Sequence, residues 1–362
     1  MVAGVGSYFA VKYFLQTRAG ESLANSVRRS SPLKRHVSND SITVVENGSL
    51  SPCRGITVSE IWVYPVKGCG GCQVASAELT ETGFAFDRQW VVVRKHKGQI
   101  ETCAQDRFPK LRKATAEIVG KKGQEMLKVT SKFCPGNVLM IPVHMSPEIV
   151  SARPQLEVDL FGVKGYVVEE PPEAHRWFSE LLGDKVCLTR LAKPREPKTS
   201  FVHQGTSCKE SDRTAMHDYC TIHLITTDGI RWLNNKMVDG TVVTAHQFRP
   251  NLVVTGVPFP KEDNWKRFTV GDVSMRVAKL SGRCVTPTTN EDGIRHPLYE
   301  PTATLRKYRS CYHAHQVKEN LKDRKECYMF GLDVFHDQTG IIRVGDPVSV
   351  LETQPAQVSF SS

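Results

Sequence analysis

From Gly55 onward the chain is cut into short β-branched runs by turns that carry glycine, a pattern that admits few architectures. Ile56 to Val66 and Gln89 to Lys95 read as strands. A Lys97-Gly98 turn leads into Gln99 to Cys103, and Leu156 to Phe161 turns through Gly162 to Gly165 into Tyr166 to Glu169. Repeated antiparallel hairpins without long helices must close on themselves to hide their edges, so a small barrel or sandwich is expected over residues 55–192. Pro172 to Leu182 reads as a helix, with proline early and Gly183 as its C-terminal cap. A Pro-containing connector, Lys193 to Lys198, opens a second β-rich domain, residues 193–353. That domain holds a strand at Ile222 to Thr226, a helix from Asp228 to Lys236, and strands at Gln247 to Val254, Phe268 to Leu280 and Ile341 to Leu351. Gly271-Asp272 and Gly345-Asp346 punctuate it as turns. The expected fold class is mainly β with peripheral helices.

A length of 362 residues suits about two domains. A hydrophobic fraction of 40% and a charged fraction of 24% describe an ordinary globular composition, which excludes collagen, coiled coil and disulfide miniprotein. The net charge of +10 is spread thinly: residues 1–50 hold six basic and three acidic residues, leaving +7 for the other 312. No concentrated basic face is visible, so a nucleic-acid partner is not expected. Eleven cysteines at irregular spacing argue for a reducing compartment rather than a disulfide framework.

Residues 1–54 read as a targeting or anchor segment and linker. Met1 to Leu15 is apolar but short for a span of about 20 residues and contains Lys12. The segment stays basic and Ser-rich, with no acid before Glu21, the composition of a mitochondrial presequence or weak signal anchor. A frayed terminus is the alternative.

Three sets of residues could carry chemistry. Cys284 follows a strand, sits beside Gly282 and Arg283, and precedes a turn-rich stretch. An adjacent cation favours thiolate, which is both nucleophile and soft-metal ligand, although an inert thiol fits the same residues. Cys69-Gly70-Gly71-Cys72 has the spacing of a zinc half-site or redox dithiol. It lacks a second CxxC, the Cys311 to His315 cluster is loose, and a glycine-rich turn with ordinary thiols is the simpler reading. The third set is cationic: Lys67 after Tyr64-Pro65-Val66, Arg88 in Phe86-Asp87-Arg88, and Arg249 in Phe248-Arg249-Pro250-Asn251. Cations among apolar neighbours need anionic partners, which either a phosphate or a carboxylate such as Asp87 or Asp218 supplies. No GxGxxG, Walker A, HExxH or GxSxG motif is present.

Six ordered pieces resemble one family: Tyr64-Pro65-Val66-Lys67, Phe248-Arg249-Pro250-Asn251, Asp263-Asn264-Trp265, Arg283-Cys284, Thr304 to Arg309 and Gly345-Asp346-Pro347-Val348. They are similar to the MOSC domain proteins, and among these to the mitochondrial amidoxime-reducing components. The resemblance runs from about Gly55 to Leu351. It implies an N-terminal MOSC β-barrel domain, a C-terminal MOSC domain and a molybdenum-molybdopterin cofactor ligated by Cys284. It further implies Lys67, Arg88, Arg249 and Asn251 as cofactor-binding residues, with Gly68, Gly282 and Arg283 beside them. Asp218, Tyr219 and Cys220 fall where the family brings polar residues near the metal, and Asp218 becomes the candidate for proton delivery.

Several positions depart from the family pattern: serine is common where this chain has Gly68 and Gly282, so two hydroxyls are missing and backbone N–H groups can replace them. Cys72 is an addition, and Asp333 stands where tyrosine is frequent. The resemblance implies reduction of small N-hydroxylated substrates, with electrons from a b-type cytochrome and its reductase. It also implies a mitochondrial location, at the outer membrane facing the cytosol, with membrane association through the N-terminus. The rival reading is a cofactor carrier or sulfurase-related maturation protein, although the chain has no room for the pyridoxal-phosphate-dependent domain of sulfurases.

Overall fold

In the computed structural model the described residues are 55–197, 207–310, 328–355 and the short strand pair 316–317 and 358–359. The expected targeting segment and the Cys311 to His315 cluster lie outside them. Among the described residues no helix is long and apolar enough to cross a membrane.

The predominantly β reading holds. The strand Thr57–Val63 alternates buried and partly buried residues, with Val58, Ile61 and Val63 facing inward. It pairs antiparallel with Leu252–Thr255, deep in an eight-stranded sheet that also contains Cys72–Val74, Ile222–Thr226, Tyr328–His336, Val273–Arg283, Trp265–Val270 and Val348–Thr353. The two ends of this sheet meet. Val348 N donates to Ile56 O at 2.8 Å, Gly345 N to Val58 O at 2.8 Å and Val58 N to Asp346 O at 3.0 Å. Closure turns the sheet into a barrel, filled by Ile61, Leu224, Leu252, Phe268, Met275 and Leu332. Each such side chain contributes about 1.5–3 kcal/mol through burial.

The first segment builds a five-stranded sheet from Gln155–Leu160, Val163–Glu169, Cys187–Leu191, Trp90–His96 and Gln99–Thr102, and a three-stranded sheet from Ala114–Val119, Met126–Ser131 and Leu139–Pro142. Lys97 and Gly98 both take positive φ, 50° and 76°, as a tight hairpin requires. The Leu160 to Val163 turn is tighter than expected, made by Phe161 and Gly162 alone. The helix Pro172–Leu182 ends at left-handed Gly183 as read from the sequence, and places Ala174, Trp177, Phe178 and Leu181 over the core of Trp90, Leu111, Leu127 and Leu188.

One expected strand is shorter than its hydrophobic run. Between Gln247 and Val254 the chain first forms a single turn, Ala245–Phe248, and Arg249 is left-handed at φ 56°, so pairing begins only at Leu252. Pro250 lacks an N–H to give a ladder and disfavours the right-handed α conformation for Arg249.

Two crossings between the barrel and the first-segment sheets position everything that follows. After Val63 the chain leaves the barrel: Lys67 N donates to Trp90 O at 2.7 Å and Trp90 N to Pro65 O at 3.0 Å. On the return, Met216 N donates to Arg88 O at 2.9 Å before the chain enters the barrel at Ile222. Cys69-Gly70-Gly71-Cys72 lies just beyond the first crossing, and a Cβ on Gly71 would sit 2.3 Å from Val63 O and 2.5 Å from Tyr64 Cδ1. The glycines therefore allow the backbone to pass over Tyr64. Replacing Gly71 with alanine is predicted to cost about 1–3 kcal/mol through overpacking, read as a lower urea midpoint with an unchanged slope.

Candidate cofactor-binding site

The site is assembled around the carboxylate of Asp87, which is fully buried. It accepts hydrogen bonds from Tyr64 N at 2.7 Å and Arg88 Nη1 at 2.5 Å, and pairs with His217 Nε2 at 2.8 Å. Desolvation alone would raise its pKa, but Arg88, His217 and the Tyr64 N–H together hold it below the ordinary carboxylate range. Burial pushes His217 down, so at neutral pH it faces Asp87 as a neutral imidazole.

Above this carboxylate, two guanidiniums flank the buried ring of Tyr64: Arg88 lies 4.5 Å and Arg249 4.4 Å from its centroid. Arg88 Nη2 also donates to Arg249 O at 3.2 Å, and Arg249 donates to Cys69 O. Lys67 donates to Met216 O at 2.9 Å and pairs with Asp218, whose side chain is half exposed. Burial lowers the pKa of Lys67. Desolvation works against ionised Asp218, but Lys67 and then Arg88 outweigh it, so Asp218 rests as a carboxylate.

These ion pairs leave cations over. Lys67 is matched by Asp218 and Arg88 by Asp87, whereas Arg249 and Arg112 form no ion pair with a described carboxylate. Burial and the charge of Arg88 push Arg249 down to about 10, and Arg112 is also lowered by burial. Holding such cations out of water is costly unless an anion joins them. The donor set therefore fits an anionic cofactor.

Cys284 directly follows a residue that is tied to the Arg249 turn. The preceding Arg283 donates from Nη2 to Phe248 O at 2.8 Å and from Nη1 to His223 Nε2 at 2.9 Å, which fastens the end of the Val273–Arg283 strand to the turn bearing Arg249. Cys284 is the exposed thiol among the described cysteines. Its sulfur lies 3.4 Å from Thr286 N and 3.0 Å from Thr286 Oγ1, both able to donate to a thiolate. By contrast, burial pushes Cys69, Cys103 and Cys208 up to about 12. Cys284 thus has the exposure that metal ligation or nucleophilic chemistry needs.

The remaining expected residues have these surroundings. Asn251 is buried, gives its Nδ2 to Trp62 O at 3.2 Å and accepts His223 N at 3.2 Å, so it joins three strands beneath Arg249. Tyr219 stacks on Phe161 at 5.5 Å, with Lys279 Nζ 4.7 Å from its ring centroid. Cys220 packs against the cluster of Cys208, Ala278 and Phe335. Gly282 sits opposite Met329 in the strand ladder. Gly68 is left-handed at φ 88°, and a Cβ there would meet Leu111 Cδ1 at 2.9 Å.

Motif reading missed Asp87 as a hub, Arg112 and His223, because each acquires its partners only through long-range folding. Lys279 is another, paired across the sheet with Asp333. A Glu169, His175 and Cys187 cluster has ligand-like spacing. His175 Nδ1 accepts the Leu188 N–H at 3.1 Å, however, which puts the ring proton on the nitrogen facing Glu169 and leaves no lone pair there for a metal.

Comparison with known proteins places the chain in a family. Residues 55–185 match the MOSC N-terminal beta barrel domain and residues 211–349 the MOSC domain. The chain is 31% identical over 300 residues to mitochondrial amidoxime reducing component 2 of Rattus norvegicus, covering 81% of this chain and 82% of that one. It is 27% identical over 299 residues to mitochondrial amidoxime-reducing component 1 of Mus musculus, at 82% of each chain. Molybdenum cofactor sulfurase of Oryza sativa subsp. japonica is 27% identical over 280 residues, covering 75% of this chain but 33% of the sulfurase. Two β-rich segments meeting at a cationic site with an exposed cysteine are accounted for together: the chain belongs to the MOSC domain family.

The tautomer of His223 generates a pH dependence. Its Nδ1 bonds Leu332 O at 3.1 Å and its Nε2 faces Arg283, so burial and the Arg283 charge push it down to about 3. The unfolded chain protonates this group near the ordinary value of about 6.5, so between these values the unfolded state holds more protons and stability falls as pH falls. From pH 7.5 to 5 the His223 contribution is about 2 kcal/mol, to be checked as a difference in urea midpoint that shrinks in His223→Gln.

Proposed function

We propose that this protein is a molybdenum-cofactor-dependent oxidoreductase that reduces small N-hydroxylated compounds of the amidoxime and hydroxylamine type. The observation that carries the reading is the hydrogen bond from Arg283 to Phe248 O, which ties the residue before the exposed thiol Cys284 to the residue before Arg249, a buried cation that forms no ion pair with a described carboxylate. Names of relatives support it, since several are mitochondrial amidoxime reducing components.

When bound, the molybdenum cofactor supplies two-electron oxygen-atom chemistry, and the protein's part is to hold and orient it. Cys284 offers a soft sulfur donor to a soft metal, with Thr286 placed to steady the thiolate. Lys67, Arg88 and Arg249 neutralise the phosphate and fix the ring system, while Gly68 and Gly282 offer backbone N–H groups where a hydroxyl is lacking. Asp87 holds Arg88 in place. Asp218 rests as a carboxylate beside Lys67, so its part in proton delivery starts with a proton taken from solvent at its exposed edge.

Electrons reach such a site from a b-type cytochrome and its reductase, and a basic protein suits an acidic redox partner. A mitochondrial location, outer membrane facing the cytosol, follows the same reading. The sulfurase relative favours a second one, in which the domain carries or matures the cofactor for other enzymes.

Metal analysis of protein purified from a cofactor-making host tests the first step. The parent is expected to hold molybdenum and Cys284→Ser at least roughly tenfold less, whereas equal content in both would remove Cys284 from the metal. Turnover of a small amidoxime with an artificial electron donor supports the enzyme reading. Tight molybdenum without turnover supports the carrier.

A further inference from the structure

We propose that Arg112, which none of the sequence motifs marks, is an anion-binding residue of this site and holds the cofactor's phosphate together with Arg249. The proposal rests on the molybdenum-cofactor reading above. Arg112 lies in the short turn Pro109–Lys113 and is 7% exposed. Its Nη1 is enclosed with no hydrogen-bond partner, and it forms no ion pair with a described carboxylate. Its charge acts on Tyr64, His246 and Arg249, which places it in the same cluster, and the one carboxylate acting on it, Glu291, is 67% exposed and pairs with His246 Nδ1 at 3.2 Å.

Two other enclosed polar atoms without partners belong to that cluster, Tyr64 Oη and His246 Nε2. Their rings stack nearly parallel at 6.2 Å, and Trp62 stacks on His246 at 4.6 Å. Three unsatisfied polar groups from three separated segments, gathered beside Arg249, are costly as they stand. A guanidinium and a phenol hydroxyl among them select an anion, and a phosphate accepts from several such donors at once.

Gly68 connects this cluster to the departure from the family pattern. A side chain at 68 would run into Leu111, and the left-handed backbone there disfavours serine in any case. The turn that fills this space presents Arg112 as its next residue. Leu111, the residue before Arg112 in that turn, thus occupies the space that a side chain at position 68 would take.

The test compares the parent with Arg112→Met, Arg112→Lys and Arg249→Met, each purified with and without the cofactor. The readouts are thermal melting and the rate of molybdenum release into a chelator. Removing an unpaired buried charge should leave the metal-free melting temperature of Arg112→Met equal to or above the parent's, while the gain in melting temperature on loading shrinks. Molybdenum release should quicken on the order of tenfold, with Arg112→Lys intermediate. Loss of a structural residue would do the opposite, lowering the metal-free melting temperature and leaving the loading gain intact.

A loading gain and release rate equal to the parent's in Arg112→Met overturn the proposal, as does parental behaviour of Arg112→Lys where the methionine variant is not recovered folded. If Arg249→Met still releases molybdenum quickly in that case, the cofactor reading stands without Arg112. A parent that binds no molybdenum defeats the cofactor reading itself.

Discussion

A single buried carboxylate, Asp87, ties together the three stretches of chain that make this site. One of its oxygens takes the Tyr64 N–H, and the other meets both Arg88 and His217. Tyr64 is the first residue after the barrel strand Thr57–Val63, Arg88 leads into a first-segment strand, and His217 lies on the return crossing. An ionised carboxylate held this deeply is stable only when every one of its partners is present. The arrangement therefore fixes the two halves of the molecule at the place where the cations stand.

Charge accounting explains the rest of the cradle. Asp87 and Asp218 pair with Arg88 and Lys67, but Arg249 and Arg112 form no ion pair with a described carboxylate, and Glu291, which pairs with His246, offsets the Arg112 charge only in part. Tyr64 softens this through its ring faces, a contribution smaller than a full ion pair. A site built this way spends folding stability to remain attractive to an anion. The exposed sulfur of Cys284, fastened to the Arg249 turn through Arg283 and Phe248, adds a soft donor beside it.

Much of this was legible in the residues themselves. Lys97-Gly98 announced a hairpin, Gly183 a helix end, the ordered motifs marked Lys67, Arg249 and Cys284, and Arg88 stood out as a cation among apolar residues, because local conformation and buried charge leave short-range signatures. What pairing and packing decide over long range was not legible. Thr57–Val63 reads as part of the first domain yet is an inner strand of the barrel formed mostly by residues beyond 220. The CGGC stretch looks like thiol chemistry, whereas Gly71 is required by the close approach of Tyr64. Arg112 has no motif at all, since its meaning comes from neighbours at positions 64, 246 and 249.

The most direct measurement of the central claim is iodoacetamide labelling followed by peptide mass mapping, on metal-free and molybdenum-loaded protein. The account predicts that Cys284 alkylates readily in the metal-free form and is protected after loading, while the buried Cys69 and Cys103 resist in both. Equal labelling of Cys284 in the two forms would contradict it, because a sulfur bonded to the metal is not free to react.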